Sequence, residues 1–337
     1  MNRLRALRSS PTLRLTLGLL LSALFLYVAV RNIDMRDVAR VVGGAHVVFI
    51  CLALVSVTAN TFAKAFRWKV LLGVAGQQVA FSRLLAGLLV GQMLNTLLPA
   101  RIGDVTRAYA FGQPGPGRTF VLGTVVLEKL IDMIAYGLLV VALLLAIPLP
   151  AWLDRSVTAV IVIAVGAIAM LVALTRFREG IAARLEQYAD RIPERLRAKT
   201  LGRVRSGLES LEIMGSRADV ARLVWWSGLI WGTAFLNNYL VLLALDMHLP
   251  LSGSLLVLIV LQAGITIPSA PGRVGIFEYL CVLSLAVYGV GQTAAFSYGI
   301  LLHGVVMIPP TLAGLLMVWR LGPVPNEILP LSVAAHD

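Results

Sequence analysis

The sequence predicts an all-α polytopic membrane protein made of two inverted repeats, with six full spans and two re-entrant, broken-helix hairpins. Three observations predict it. Apolar residues make up 58% of the 337 residues, charged residues only 14%, and the mean hydropathy is +0.86; a soluble domain carries about a quarter charged residues. Six stretches approach the roughly 20 mostly apolar residues that a helix needs to cross the hydrocarbon core. Two further apolar stretches are interrupted by proline, at matching places in the two halves. A soluble enzyme, a disordered chain and a coiled coil are excluded. So is a disulfide scaffold, because the two cysteines, Cys51 and Cys281, both lie in apolar runs.

The first span reads as Leu13–Val30. Arg3, Arg5, Arg8 and Arg14 precede or open it, which places the N-terminus in the cytoplasm. No small-residue cleavage site follows, so it reads as a retained helix rather than a signal peptide. Residues 33–45 form a short amphipathic piece on the outer surface. The second span, His46–Ala63, returns to the cytoplasm at Lys64, Arg67 and Lys69. Phe81–Leu98 then breaks at Pro99. The following Arg101–Phe111 segment is about 17 Å of helix, too short to cross. Residues 81–112 therefore read as a re-entrant hairpin open to the cytoplasm. Thr119–Ile147 is a full span ending at Pro148 and Pro150, and Val157–Leu174 returns inward.

Residues 175–220 are the one substantial polar stretch, with ten Lys/Arg and seven Asp/Glu. Ile181, Leu185, Tyr188 and Ile192, then Val204, Leu208 and Leu211, recur at helical spacing. Amphipathic helices on the cytoplasmic surface are expected. Leu223–Leu245 crosses outward. Leu255–Ile267 breaks at Pro268-Ser269-Ala270-Pro271-Gly272, and Val274–Tyr288 completes a second hairpin, open to the outside. Ala294–Trp319 is the last span, ending at Arg320. The chain thus divides into one transmembrane domain, 1–320, and a tail, 321–337. Repeat one covers about 11–150 and repeat two about 151–320. Both termini are expected in the cytoplasm. The net charge of +12 then reflects positive-inside topology, not nucleic-acid binding.

Span, span, hairpin, span is followed by the same order again. Three crossings per half is an odd number, so the second half must run upside down. The two breaks also share a pattern: Pro99-Ala100-Arg101-Ile102-Gly103-Asp104 against Pro271-Gly272-Arg273-Val274-Gly275-Ile276-Phe277-Glu278. Each has proline, a small residue, arginine, a β-branched residue, glycine and then an acid. Inverted halves with discontinuous helices at matching places are a common transporter architecture, with the site at the breaks.

Broken helices survive inside a membrane only where they are buried in protein or line a wet cavity. A helix N-terminus carries partial positive charge and attracts anions. Arg101 and Arg273 are placed in the first turns of the half-helices, and a guanidinium fork suits phosphate oxygens. Gly103 and Gly275 would permit close backbone approach. Glu128-Lys129-Leu130-Ile131-Asp132 lies between them; Glu128 is about 14 Å into its helix, near the bilayer centre. Glu128 and Asp132 share one face at i, i+4. Charges at that depth cost at least ~2.5 kcal/mol each and usually mark a pathway. Asp104, Arg107, Lys129 and Glu278 complete the candidate binding set. The hairpin breaks themselves comprise Pro99, Gly103, Pro268, Pro271, Gly272 and Gly275. The plainer reading is an internal salt-bridge network, Arg101, Arg107 and Arg273 against Asp104, Glu128, Asp132 and Glu278. The two are compatible if pairs exchange.

Weaker signals surround this set. His303 reads first as a satisfied buried histidine, with a proton relay as the alternative. Gly87-x-x-x-Gly91 and Gly228-x-x-x-Gly232 suit close helix packing. Trp225, Trp226, Trp231 and Trp319 suit an interfacial belt. Asn95, Thr96, Asn237, Asn238, Gln262 and Thr266 line the cavity or are packing polars. There is no P-loop, clustered His/Cys motif or CDP-alcohol phosphotransferase signature. No metal, cofactor or catalytic residue is expected.

Through Leu97-Leu98-Pro99-Ala100-Arg101-Ile102-Gly103-Asp104, Glu128-Lys129-x-x-Asp132 and Pro271-Gly272-Arg273-Val274-Gly275-Ile276-Phe277-Glu278, the chain resembles the lysylphosphatidylglycerol synthase transmembrane-region family of flippase-like membrane proteins. The resemblance spans roughly residues 11–320. The family more often has Glu at the place of Asp104 and Arg at that of Lys129; both differences keep the charge, though Lys129 lacks the fork. Members fused to a cytosolic aminoacyl-transferase make and translocate aminoacylated phosphatidylglycerol. Only 17 residues follow the last span here, so no synthase domain is expected. The resemblance implies translocation alone.

The expectation is therefore a non-enzymatic lipid flippase of the bacterial cytoplasmic membrane. It would pass an anionic or lipid-linked head group through a central polar cavity. The alternatives are an intramembrane enzyme, or an accessory subunit of a polyprenyl, hopanoid or aminoacyl-phospholipid pathway. A membrane lipid is the expected substrate. A lipid-biosynthetic enzyme and a second copy of the chain are candidate protein partners.

Overall fold

The computed structural model describes residues 11–31, 33–73, 79–98, 102–111, 117–147, 151–187, 194–264 and 270–321. The described residues are helical, with no strand among them. The elements are α1 (Pro11–Val30), α2 (Met35–Gly43), α3 (Val47–Gly73), α4 (Phe81–Leu97), α5 (Ile102–Phe111), α6 (Arg118–Ala146), α7 (Ala151–Gln187), α8 (Glu194–Glu209), α9 (Arg217–Ala244), α10 (Leu251–Gly264), α11 (Ile276–Ala286) and α12 (Gln292–Leu321). Short 3₁₀ turns occupy Ser210–Gly215 and Pro271–Arg273. Among the described residues, five helices are long and apolar enough to cross a membrane: Val47–Gly73, Arg118–Ala146, Val157–Ile181, Arg217–Ala244 and Gln292–Arg320. Large apolar side chains such as Val55, Leu138, Leu145 and Val162 are exposed on them, as a lipid-facing surface requires.

Five of the six expected spans are among these helices, α1 being shorter in its apolar part, and two expectations are corrected. The second span does not stop at Ala63: α3 continues to Gly73, because nothing from 64 to 73 breaks a helix and Arg67 finds partners inside the bundle. Residues 175–187 are not a separate surface helix. They prolong the preceding span in one 37-residue helix, about 55 Å long, which must project well beyond the hydrocarbon core. As expected, the last span is one helix: α12 runs unbroken through Pro309 and Pro310, although two proline rings deprive the carbonyls of Val305 and Val306 of their helical donors. The amphipathic α2 is present, started by Asp34, whose carboxylate accepts from Arg36 N–H at 2.8 Å.

The most extensive packing joins α3 to α9. Ser56 Oγ donates to the Thr233 carbonyl at 2.9 Å, and Asn60 Nδ2 donates to the Ile230 carbonyl at 2.6 Å. One apolar core lies around this pair: Ala53 and Val57 meet Val241, Val257, Cys281, Leu285, Tyr298 and Leu302. A second holds Trp68, Leu71 and Leu84 against Phe120, Leu127, Leu211 and Leu223. Helix α1 packs on α11 and α12, and α7 packs on α6.

Each hairpin folds back on itself, α5 on α4 and α11 on α10. In the first, a Cβ on Gly103 would overlap the Gly91 carbonyl oxygen, so the two backbones touch. Gly91 thus fulfils the packing expectation. Gly228 and Gly232 do not, for nothing lies within 4 Å of a Cβ at either. Trp225 and Trp319 are exposed, as belt residues should be, but Trp231 is buried and its ring lies 6.2 Å from that of Tyr136.

Candidate functional site

Charged side chains of α3, α5 and α6 converge inside the bundle. Arg67 grips Asp132 through both guanidinium nitrogens, at 2.6 and 3.1 Å, reaches Glu128 at 3.4 Å and donates to Ser227 at 3.2 Å. Arg107 bridges Asp104 at 3.0 Å and Glu128 at 3.3 Å, with its guanidinium 5.0 Å from the centre of the Trp68 ring. Lys129 Nζ lies 3.3 Å from the second oxygen of Asp104. Three cations, Arg67, Arg107 and Lys129, therefore face three carboxylates, Asp104, Glu128 and Asp132. The two arginine side chains are 2% and 3% exposed and the Lys129 side chain 40%. Arg67 and Arg107 are thus sealed parts of the frame, whereas Lys129 reaches out of it.

The first break is stitched to this cluster. Asn95, near the end of α4, accepts from Gly103 N–H at 2.8 Å and donates to Asp104 at 3.3 Å. One N-terminal N–H of α5 is therefore already held by a side chain of the same hairpin.

The second break is built differently. Gly272 has φ +72 and Arg273 φ +59, two successive left-handed residues, and Gly275 follows at φ +90. Helix α11 can begin only after them, at Ile276. Glu278 closes its N-terminus by accepting from Gly275 N–H at 2.6 Å. The other Glu278 oxygen meets His303 Nδ1 at 2.5 Å, and His303 Nε2 lies 2.8 Å from the Gly272 carbonyl. Phe277 stacks on the imidazole, ring centres 4.5 Å apart. On the other side, α1 braces the break: Ser22 Oγ accepts from Ala270 N–H at 2.8 Å. A Cβ on Gly275 would overlap the Ser22 carbonyl.

The Pro271–Arg273 turn packs on α4. Beside it an open groove of about 420 Å³ is lined by Thr96 of α4 and by Gly272, Glu278, His303, Met307 and Thr311, among others. Its walls are mostly apolar, with polar groups at the break.

Of the expected site residues, Asp104, Arg107, Glu128, Lys129 and Asp132 come together in the first cluster. Glu278 stands apart from them at the second break. Pro99, Ala100, Arg101, Thr266 and Pro268 lie outside the described residues, as do the 112–116 turn, Pro148, Pro150, Tyr188, Ile192 and the tail beyond 321. Arg273 does not sit in the first turn of its half-helix but precedes the cap, because the two glycines around it hold the chain in turn conformations. The close approach allowed by Gly103 and Gly275 is to protein backbone, Gly91 and Ser22. Asp132 is held by Arg67 and Glu278 meets His303. Asn237 and Asn238 are buried on α9, and neither lines the groove. Arg67 and Asn95 were not foreseen as cluster members. The signal for Arg67 was its setting, Ala65-Phe66-Arg67-Trp68, apolar on both sides.

The chain matches the family described as "Lysylphosphatidylglycerol synthase TM region" over residues 15–314. It is similar to a UPF0104 membrane protein of Pyrococcus horikoshii, with 24% identity over 294 residues, covering 82% of this chain and 88% of that protein. A match across nearly all of the buried helices, both breaks included, settles the family. This integral membrane protein belongs to the lysylphosphatidylglycerol synthase transmembrane-region family.

Proposed function

We infer that the chain is a lipid translocase of the cytoplasmic membrane, moving an anionic or lipid-linked head group along a polar path while the tails stay in the bilayer. The observation that carries this reading is the buried ion-pair cluster itself: Arg67, Arg107 and Lys129 against Asp104, Glu128 and Asp132 inside an apolar helical bundle. Charge buried at that depth is costly and is ordinarily retained for a pathway. Arg67 and Arg107 form the frame. Lys129 is the exchangeable cation, occupied by Asp104 until a phosphate displaces it. The groove beside the second break reaches the flank of α12, where Ile308 and Leu312 are exposed.

Helix pairing supports a repeat arrangement. Exchanging α3 with α9, α4 with α10, α5 with α11, α6 with α12 and α1 with α7 maps most observed pairs onto observed pairs, the α1–α11 pair being the exception. Thus α4–α12 becomes α10–α6, α1–α12 becomes α7–α6, and α3–α6 becomes α9–α12. Excess basic residues at 64–69 and 175–220 support the cytoplasmic termini.

The test is reconstitution in vesicles carrying fluorescent phosphatidylglycerol or phosphatidylcholine, with dithionite quenching of the outer leaflet. Wild type moves the anionic lipid. Lys129→Ala slows it at least tenfold, and Lys129→Arg retains it. No movement above protein-free vesicles would overturn the reading. Chemical conversion of a labelled lipid without leaflet movement would transfer the case to an intramembrane enzyme.

A further inference from the structure

We propose that Glu278 and His303 form a proton-binding site that latches the second helix break. His303 stands between two oxygens: Glu278 Oε1 against Nδ1 at 2.5 Å, and the Gly272 carbonyl against Nε2 at 2.8 Å, with Met307 Sδ 3.0 Å from the same nitrogen. The other carboxylate oxygen of Glu278 already accepts from Gly275 N–H. A backbone carbonyl only accepts, and an ionised carboxylate only accepts. A neutral imidazole has a single N–H, so with both groups in their ordinary neutral-pH forms one of these contacts opposes two lone pairs. One added proton resolves it. If it sits on the imidazole, both ring nitrogens donate. If it sits on the carboxyl, Glu278 donates to Nδ1 while Nε2–H donates to Gly272. The observed geometry is that of the proton-loaded pair.

The latch holds a segment with reason to move. Gly272 and Arg273 are successive left-handed residues, and Arg273 is not a glycine; such conformations persist when neighbours fix them. Loss of the proton frees either the Gly272 carbonyl from α12 or the Glu278 cap from α12. Both changes loosen the turn that packs on α4. The groove supplies access, because Gly272, Glu278 and His303 all line it.

The titratable neighbours among the described residues are Arg273 in the turn, Tyr279 and Cys281 on α11, and Tyr298 on α12. Helix α10 carries none, α4 presents Thr96, and α1 presents Ser22 and Leu26. Helices α3 and α9 meet this part of α12 through apolar residues such as Val57 and Val241, and α2 meets its start through Val38. The latch rests on this geometry alone; joined to the translocation reading, it makes a proton the coupling ion.

The test is hydrogen–deuterium exchange of the full-length protein in lipid nanodiscs from pH 5 to 9, following peptides that cover 270–279 and dividing by the intrinsic exchange rate at each pH. Wild type is protected at low pH and loses protection on the order of tenfold as pH rises through one titration step, the scale of one hydrogen bond to a charged group. Glu278→Gln stays protected throughout, because the amide NH₂ donates to Nδ1 and its oxygen still accepts from Gly275. His303→Phe is unprotected at both extremes. Histidine-labelled ¹⁵N spectra provide a second readout: a resonance absent from His303→Phe shifts at the same midpoint. A flat wild-type profile, a Glu278→Gln profile that titrates like wild type, or a protection change without the ring shift would each overturn the latch. No lipid moves in this measurement, so its failure leaves the translocation reading standing, and a failed transport assay leaves the latch standing.

Discussion

Replacing Arg67 by methionine keeps most of the side-chain volume and removes the charge at the centre of the first cluster. The side chain is 2% exposed and makes four polar contacts: two to Asp132, one to Glu128 and one to Ser227. Removing one member of a buried ion pair costs about 3–5 kcal/mol, because the remaining charge stays buried without compensation. Glu128 retains Arg107, and Asp132 is 27% exposed and regains some water. The expected loss is therefore at the lower end, about 3 kcal/mol, or roughly 150-fold in the opening equilibrium. Cys281 offers the assay, since its thiol is free and buried while Cys51 is exposed. In a Cys51→Ser background, maleimide modification of Cys281 under conditions of rapid reclosure should accelerate by about that factor. The double variant Arg67→Met with Asp132→Asn removes the orphaned carboxylate and should fall at least about 1 kcal/mol short of the sum of its parts. Acceleration of less than fivefold, or strict additivity, would show that Arg67 is not the frame of this cluster.

Two further substitutions probe the packing that positions the site. Gly103→Ala places a methyl group against the Gly91 carbonyl oxygen and Asn95; it should push α5 off α4 and sharply reduce the monodisperse fraction in size-exclusion chromatography. Gly166→Ala, where nothing lies within 4 Å, should leave that fraction unchanged. Asn60→Ala removes the donor to Ile230 and Thr233 between α3 and α9. It should cost about 0.6 to 1.7 kcal/mol, the range found for polar contacts between membrane helices, read from the same Cys281 kinetics.

The spans, both breaks, the amphipathic α2 and the shared face of Glu128 and Asp132 follow from hydropathy, proline position and helical period, which are local properties. Arg67 was not legible in that way. A basic residue after an apolar run ordinarily marks the cytoplasmic edge, and its meaning here depends on acids on α6 more than sixty positions later. Arg273 failed for the opposite reason. Its placement was local, since glycines on either side of an Arg-Val pair, with Glu278 three residues after Gly275, spell a turn followed by a cap. The analogy with the first break outweighed that signal. His303 could be read as buried, but its two oxygen neighbours come from the break and from α11, and only their convergence exposes the missing proton.

The two breaks solve the same problem with different chemistry, and the difference bears on how the bundle can move. At the first, Arg107 and Lys129 hold Asp104, and α5 sits backbone to backbone on α4. A guanidinium does not give up its proton, so this junction keeps its ion pairs at any ordinary pH. At the second, the bond across the break runs through the Glu278–His303 pair, which can gain or lose a proton. If both breaks were held by permanent ions, only displacement by a charged ligand could open them. If both were held by titratable pairs, a change of pH would loosen the whole bundle. One fixed junction and one proton-held junction give a frame and a moving part within the same packed structure. The latch reading accordingly assigns motion to the Pro271–Arg273 turn and leaves the Arg67–Glu128–Arg107 frame in place.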